Sequence, residues 1–146
     1  MMLAVKMGSY TEESVQATLD IATAENTSFF LSRMEDGIAV PRNTFNAGVQ
    51  YCPDQPSQVM AFEAADVLLE TRIGSCGSIA AYEAGMLRAR AIRRGMPPRT
   101  ARKLYRAVVI LQHEGRRNVW HAVVETPQGQ WDPSAGLRQV CANPRV

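Results

Sequence analysis

The feature of this 146-residue chain that most limits its fold is a change of period at Gly95-Met96-Pro97-Pro98. Before it, Ile79, Ala80, Ala84, Leu87 and Ala91 recur at helical spacing, from about Cys76 to Arg94. Gly95 suits the end of that helix, and two prolines block its continuation. After it the pattern is β-rich. Leu104 to Gln112 carries Val108, Val109 and Ile110, and Glu114-Gly115 reads as a turn. Asn118 to Thr126 carries Val119, Val123 and Val124, followed by a second turn at Pro127-Gln128-Gly129. Gln130-Trp131-Asp132 begins a third, short strand that Pro133 ends. Consecutive strands joined by tight turns predict an antiparallel meander. The small residues Ala80, Ala81, Ala84 and Ala89 let the preceding helix approach a sheet closely. The predicted class is α+β: N-terminal helices, then an antiparallel sheet packed on the helix that begins at Cys76.

The N-terminal half is less regular. Residues 1–10 read as an irregular lead-in. Thr11-Glu12-Glu13-Ser14 then reads as a cap and acidic first turn. Val15, Leu19 and Ala22 continue it as a helix, expected to end near Asn26-Thr27-Ser28. Phe29, Phe30 and Leu31 are core anchors, as strand or helix. From Glu35-Asp36-Gly37 to Ser57 the chain is rich in turn formers, which suggests a segment wrapped across one face. A second helix is expected from about Ser57 to Glu70, using Val59, Phe62, Ala65 and Leu69. The length suits a single domain. Within it, residues 1–57 form the N-terminal helix and wrap, 58–135 the core, and 136–146 a tail.

Bulk properties exclude several classes. The longest apolar run is about Ala107 to Leu111, far short of a membrane span. The N-terminus has no apolar stretch long enough for a signal peptide, so a reducing, cytoplasmic setting is expected. The three cysteines are odd in number and lack metal-ligand spacing, so neither a disulfide framework nor a zinc site is expected. Cys52 and Cys141 read as structural. Charge is uneven: residues 1–87 hold four basic and eleven acidic side chains (−7), residues 88–146 twelve and three (+9). Such asymmetry suggests an oriented surface.

Chemistry points to Cys76. It lies in Gly74-Ser75-Cys76-Gly77, where a helix begins. Backbone N–H groups and the macrodipole at a helix N-terminus favour a thiolate. A thiol nucleophile also needs a base, and the base an orienting group. His121 is mid-strand, and Asp132 follows eleven residues later, past a hairpin turn. The hairpin brings the two positions together. Asp132 then holds one ring nitrogen of His121 and leaves the other for Cys76.

Three segments together carry a family resemblance: Gly74-Ser75-Cys76-Gly77, Trp120-His121-Ala122-Val123, and Gly129-Gln130-Trp131-Asp132-Pro133-Ser134. In that order and spacing they resemble the transglutaminase-like family of the papain-like cysteine-nucleophile superfamily, over roughly residues 60–135. The N-terminal third resembles no family. The resemblance implies a papain-like, transglutaminase-like core. In it Cys76 is the nucleophile, His121 the general base and acid, and Asp132 the orienter. It implies acyl transfer through a thioester, as a hydrolase of amide or isopeptide bonds (a cysteine protease) rather than a cross-linker, on a protein or peptide substrate. No metal or organic cofactor is required. Small proteins of this type also occur among phage genes. By analogy, the second reading is a catalytically idle structural or adaptor subunit of a larger assembly, such as a virion component.

Each residue has a plainer reading. Cysteine is often a small, inert buried residue, His121 could be satisfied by a backbone carbonyl, and Asp132 before Pro133-Ser134 is good turn chemistry. Oxyanion donors are the Cys76 N–H and one of Gln50, Tyr51, Gln55 or Gln58, with no choice among them. Trp120 and Trp131 are core or cleft walls, and His113 a solvated turn residue. Arg88, Arg90, Arg93, Arg94, Arg99, Arg102, Lys103 and Arg106 form a basic run without an acid. It reads as a solvated helix end and loop. Its sharper reading is a patch for an acidic protein surface or nucleic acid, though no nucleic-acid motif accompanies it and no membrane partner is expected.

Overall fold

The computed structural model describes residues 2–6, 11–53, 59–114 and 117–141. In chain order the elements are β1 (Met2–Lys6), α1 (Glu12–Glu35), β2 (Gln50–Tyr51), β3 (Val59–Glu63), α2 (Ala65–Thr71), β4 (Ile73–Gly74), α3 (Cys76–Arg93), α4 (Pro98–Leu104), β5 (Arg106–Glu114), β6 (Arg117–Thr126) and β7 (Gly129–Trp131). A 3-10 turn, Pro133–Gly136, follows. The mixture of helix and sheet agrees with the α+β class.

The C-terminal half matches its pattern. β5, β6 and β7 form an antiparallel meander, with Val108 opposite Val123 and Val124 opposite Trp131. α3 ends as Gly95 and the prolines require. Gly95 takes φ +106°. Its N–H bonds Ile92 O, and the Met96 N–H bonds Ala91 O, which closes a Schellman-type cap. Pro98 then opens the short helix α4, a position where its missing N–H costs nothing. That helix was not anticipated. At Ala107–Val109 one side chain pairs the outer edge of β5: Gln16 donates to Ala107 O (2.9 Å) and accepts from Val109 N (3.0 Å). An amide thereby substitutes for a strand and blunts an open edge.

The N-terminal half departs from the pattern in three places. The lead-in contains β1, which pairs antiparallel with β3. The stretch expected as one helix from Ser57 is strand β3 followed by α2, because β1 supplies a pairing partner. α1 continues to Glu35 and carries Phe29 to Leu31 as helix. The polar residues in and before the expected stop are satisfied without ending the helix, two within it and one by a tertiary contact. Thr23 and Thr27 hydroxyls bond back to Leu19 O and Thr23 O, each at 2.8 Å. Asn26 Oδ1 accepts the Ala65 N–H at 2.8 Å and caps α2. The helix stops instead at Gly37, φ +70°, where the Ile38 N–H reaches Arg33 O.

The core lies between the helices and the meander. Leu19 and Ala22 of α1, Cys76, Ala80, Ala81 and Ala84 of α3, and Ala107, Ala122 and Val124 of the sheet form one cluster. The alanines keep α3 close to the sheet, as their size suggests. α1 and α3 approach just as closely: a Cβ on Gly85 would lie 2.7 Å from Asn26 Cβ. A second cluster, around Phe30, Leu68, Ile79, Tyr82 and Met86, lies under the wrapping segment. That segment is pinned to α3. Tyr82 Oη donates to Pro41 O (2.6 Å), and the Thr44 N–H and hydroxyl donate to Glu83 Oε1 (2.8 and 2.7 Å).

The cysteines need a correction. Cys52 and Cys141 form a disulfide across a sequence separation of 89. An odd cysteine count excludes complete pairing, not one bridge beside one thiol. The bridge forms because residues 138–140 return alongside β2: Tyr51 N donates to Arg138 O, and Val140 N to Tyr51 O. Residues 138–141 are thus tied to β2. No helix among the described residues is long and apolar enough to cross a membrane.

Candidate active site

Cys76 is the first residue of α3. Ser75 is its N-cap and accepts the Ser78 N–H at 3.4 Å. The cysteine is 9% exposed and stands outside the disulfide. Its flanking glycines have a packing role. A Cβ on Gly77 would fall 2.0 Å from Phe62 Cε1, and one on Gly74 2.6 Å from Leu68 Cδ1. The neighbouring side chains of Phe62 and Leu68 occupy the space that anything larger would need. Below the helix start, the Ser78 hydroxyl accepts from Glu63 N (2.7 Å) and donates to the Glu63 carboxylate. It also meets Ser75 Oγ at 3.2 Å. The end of β3 is thereby locked to the start of α3.

His121 lies in β6 opposite Ile110, with its side chain 12% exposed. Its Nε2 is 2.7 Å from Asp132 Oδ2. Asp132 follows β7 and caps the 3-10 turn: Oδ1 accepts the Ser134 N–H (3.0 Å) and hydroxyl (2.6 Å). Burial pushes the Asp132 carboxyl up. The Ser134 hydroxyl, the His121 ring and the Ser134 N–H outweigh it and hold the carboxyl below its usual range. The group is therefore an ionised acceptor at neutral pH, and Nε2–H of His121 donates to it. In the neutral ring Nδ1 then carries the lone pair. Ser134, buried, was not singled out in the sequence, although Asp two residues before Ser is the spacing of such a turn.

His121 and Asp132 are thus joined directly, as their hairpin spacing predicts. Cys76 reaches the same strand by packing, in the cluster that holds Ala122 and Val124. Ala122 directly follows His121, so the cysteine packs beside the histidine's place in β6.

Of the oxyanion candidates, Gln55 and Gln58 lie outside the described residues. Gln50 and Tyr51 form β2, which runs parallel to β4, with Gln50 opposite Ile73 and Tyr51 opposite Gly74. The Cys52 N–H bonds Gly74 O at 2.9 Å. Half-buried Tyr51 packs against the cluster that holds Cys76. β2 therefore runs beside the two residues that lead into α3. Trp120 packs with Val15, Phe62 and Val109 as a core residue. Trp131 is 40% exposed.

The basic run is not one patch. Arg88 is 5% exposed and works internally, donating Nε to Tyr105 O (2.6 Å) and a terminal nitrogen to Arg102 O (3.3 Å). Burial lowers its pKa to about 10. It fixes α4 to α3 and leaves the solvated set. Arg106 is 3.8 Å from Asp20. Arg99, Arg102 and Lys103 are exposed on α4. Arg90, Arg93 and Arg94 gather at the far end of α3, so the run divides by element.

Compared with family models, curated proteins and solved structures, the chain matches none of them. Functional inference therefore stands on the residues and their geometry.

Proposed function

We propose that this protein is a cysteine-dependent acyl-transfer enzyme of the transglutaminase-like, papain-like type, hydrolysing amide or isopeptide bonds in a protein or peptide. The observation that carries the reading is the 2.7 Å contact between His121 Nε2 and Asp132 Oδ2, with the second carboxylate oxygen held by Ser134. That contact sets the tautomer in which Nδ1 is the base. In the reaction Nδ1 takes the Sγ proton of Cys76, and the thiolate attacks the substrate carbonyl carbon. The imidazolium returns the proton to the leaving amine as the C–N bond breaks and a thioester forms. Water, deprotonated by the same nitrogen, then releases the acid and restores the thiol. The start of α3 supplies the Cys76 N–H to the oxyanion, with β2 as the source of a second donor.

Alkylation of the purified protein with iodoacetamide at pH 6, followed by peptide mass mapping, tests the activated thiol. Labelling of Cys76 faster than a small-molecule thiol is the expected result. Labelling no faster removes the enzymatic reading.

A second reading has its own observations. Cys76 is nearly buried, and Gly74 and Gly77 are both demanded by packing. These fit a catalytically idle structural or adaptor subunit of an assembly, such as a virion. That reading expects an inert thiol, together with unchanged folding and assembly in Cys76→Ser.

A further inference from the structure

Four arginines from two separate segments converge on one groove. Arg90, Arg93 and Arg94 come from the end of α3, and Arg42 from the segment between α1 and β2. Met34, Val40 and Met86 complete the lining of a groove of about 590 Å³. The negative end of the α3 dipole accounts for basic residues in its last turn. It does not account for Arg42, which belongs to another element. Arg42 is set there by two anchors on α3: Tyr82 Oη donates to Pro41 O, and Thr44 donates twice to Glu83. Residues 41 and 44 are therefore fixed on either side of it. Burial, then the neighbouring Arg42 and Arg94 charges, hold Arg90 below its usual pKa. Among the described residues none of the four arginines is ion-paired, and no carboxylate lines the groove.

Like charges crowded over an aliphatic floor are unfavourable until an anion arrives. Guanidinium forks favour carboxylates and phosphates. The floor favours an apolar side chain between them, and methionine adapts to many shapes. Among the lining residues there is no aromatic ring on which a nucleic-acid base could stack. We propose that this groove is a docking site for an acidic peptide segment of a partner protein, with an apolar side chain seated on Met34, Val40 and Met86 and flanking carboxylates held by Arg42, Arg90, Arg93 and Arg94. The site is independent of the acyl-transfer reading. At about 1.5 Å per residue, the stretch of α3 that lines the groove, Met86 to Arg93, begins about 15 Å and ends about 25 Å from the cysteine.

The test is fluorescence anisotropy of the full chain with a labelled hexapeptide, Glu-Leu-Glu-Glu-Leu-Glu, at near-physiological salt. Saturable binding is expected. Arg42→Gln with Arg93→Gln should weaken it about tenfold or more, as loss of two charge-assisted contacts implies. Arg99→Gln with Lys103→Gln removes equal charge elsewhere and should change it less than about twofold. Met34→Gln leaves the charge intact and should weaken binding about threefold or more through the lost apolar contact. Far-ultraviolet circular dichroism confirms that each variant is folded. Absence of saturable binding overturns the proposal, as does equal loss in the two double variants. Tighter binding of a twelve-nucleotide oligothymidylate than of the peptide, indifferent to Met34→Gln, also overturns it and assigns the groove to nucleic acid.

Discussion

The imidazole of His121 and the carboxylate of Asp132 meet at 2.7 Å although eleven positions separate them in sequence. One hairpin accomplishes this. Thr126 pairs with Gly129 at the turn, and the chain leaves β7 one residue before Asp132. The 3-10 turn then aims the carboxylate, because Ser134 holds its other oxygen.

If the pair activates Cys76, damage to it should appear in thiol reactivity in a defined order. Iodoacetamide rates at pH 6 should fall from the native protein through Ser134→Ala to Asp132→Asn and then His121→Ala. Loss at Asp132→Asn should be about tenfold or more, since the wrong tautomer would face the thiol. Equal rates in all four would leave the hydrogen bond purely structural.

The same carboxylate links stability to acid. Its folded pKa is depressed, so the folded state binds fewer protons there than the unfolded chain. The resulting stability is present above the usual aspartate value of about 3.9 and is lost as pH falls through the folded pKa. Asp132→Asn should therefore flatten the acid limb of a thermal-stability curve. An unchanged acid limb would contradict the assignment.

Glu83 has the opposite sign. Burial raises its carboxyl, and the two Thr44 donors offset this only in part. An acid raised in the folded state contributes stability below its unfolded pKa. That contribution is lost as pH rises through the folded value. Glu83→Gln keeps an acceptor for Thr44 and removes the buried charge. Denaturant unfolding at pH 8 should show a gain of about 1 kcal/mol, shrinking toward pH 4. A loss at pH 8 would mean that the charge itself is required.

Gly77 and Phe62 should behave as a coupled pair. A Cβ on Gly77 would fall within the Phe62 ring edge, on an atom backed by the Val15 and Val109 cluster. Gly77→Ala should cost about 2 kcal/mol from overpacking. Phe62→Leu, although destabilising alone, should remove most of that increment in a double-mutant cycle. Additive costs would show that the ring yields without strain.

The bridge predicts one titratable thiol per native chain and three after reduction. Cys52→Ser with Cys141→Ser should lower stability by about 4.6 kcal/mol in the chain-entropy model for so long a loop. Three reactive thiols in the protein under oxidising conditions would contradict it.

What was legible in the sequence follows from the range of the forces that set it. Cys76–Arg93 is readable because cap, small-residue stripe, Gly95 and prolines are all local. The meander is readable because its turns and alternating valines lie within a few residues of one another. The same hairpin arithmetic joins His121 to Asp132. Asn26 reads as a helix stop until α2 offers an N–H for its side chain to cap. Val59 and Phe62 suit a helix until β1 arrives as a strand partner. Arg88 reads as solvated until Tyr105 and Arg102 carbonyls surround it.

The sequence by itself determined where the cysteine helix begins and ends, the order of the last three strands, and which histidine and aspartate would meet. Tertiary structure alone decided the Cys52–Cys141 bridge, the continuation of α1 through its polar middle, and the gathering of Arg42 with the end of α3. The physical reason is separation along the chain. Local hydrogen bonds and side-chain periodicity are written within one turn or one hairpin. The partners that rescue buried polar groups or bring charges together come from segments tens of residues away and exist only after packing.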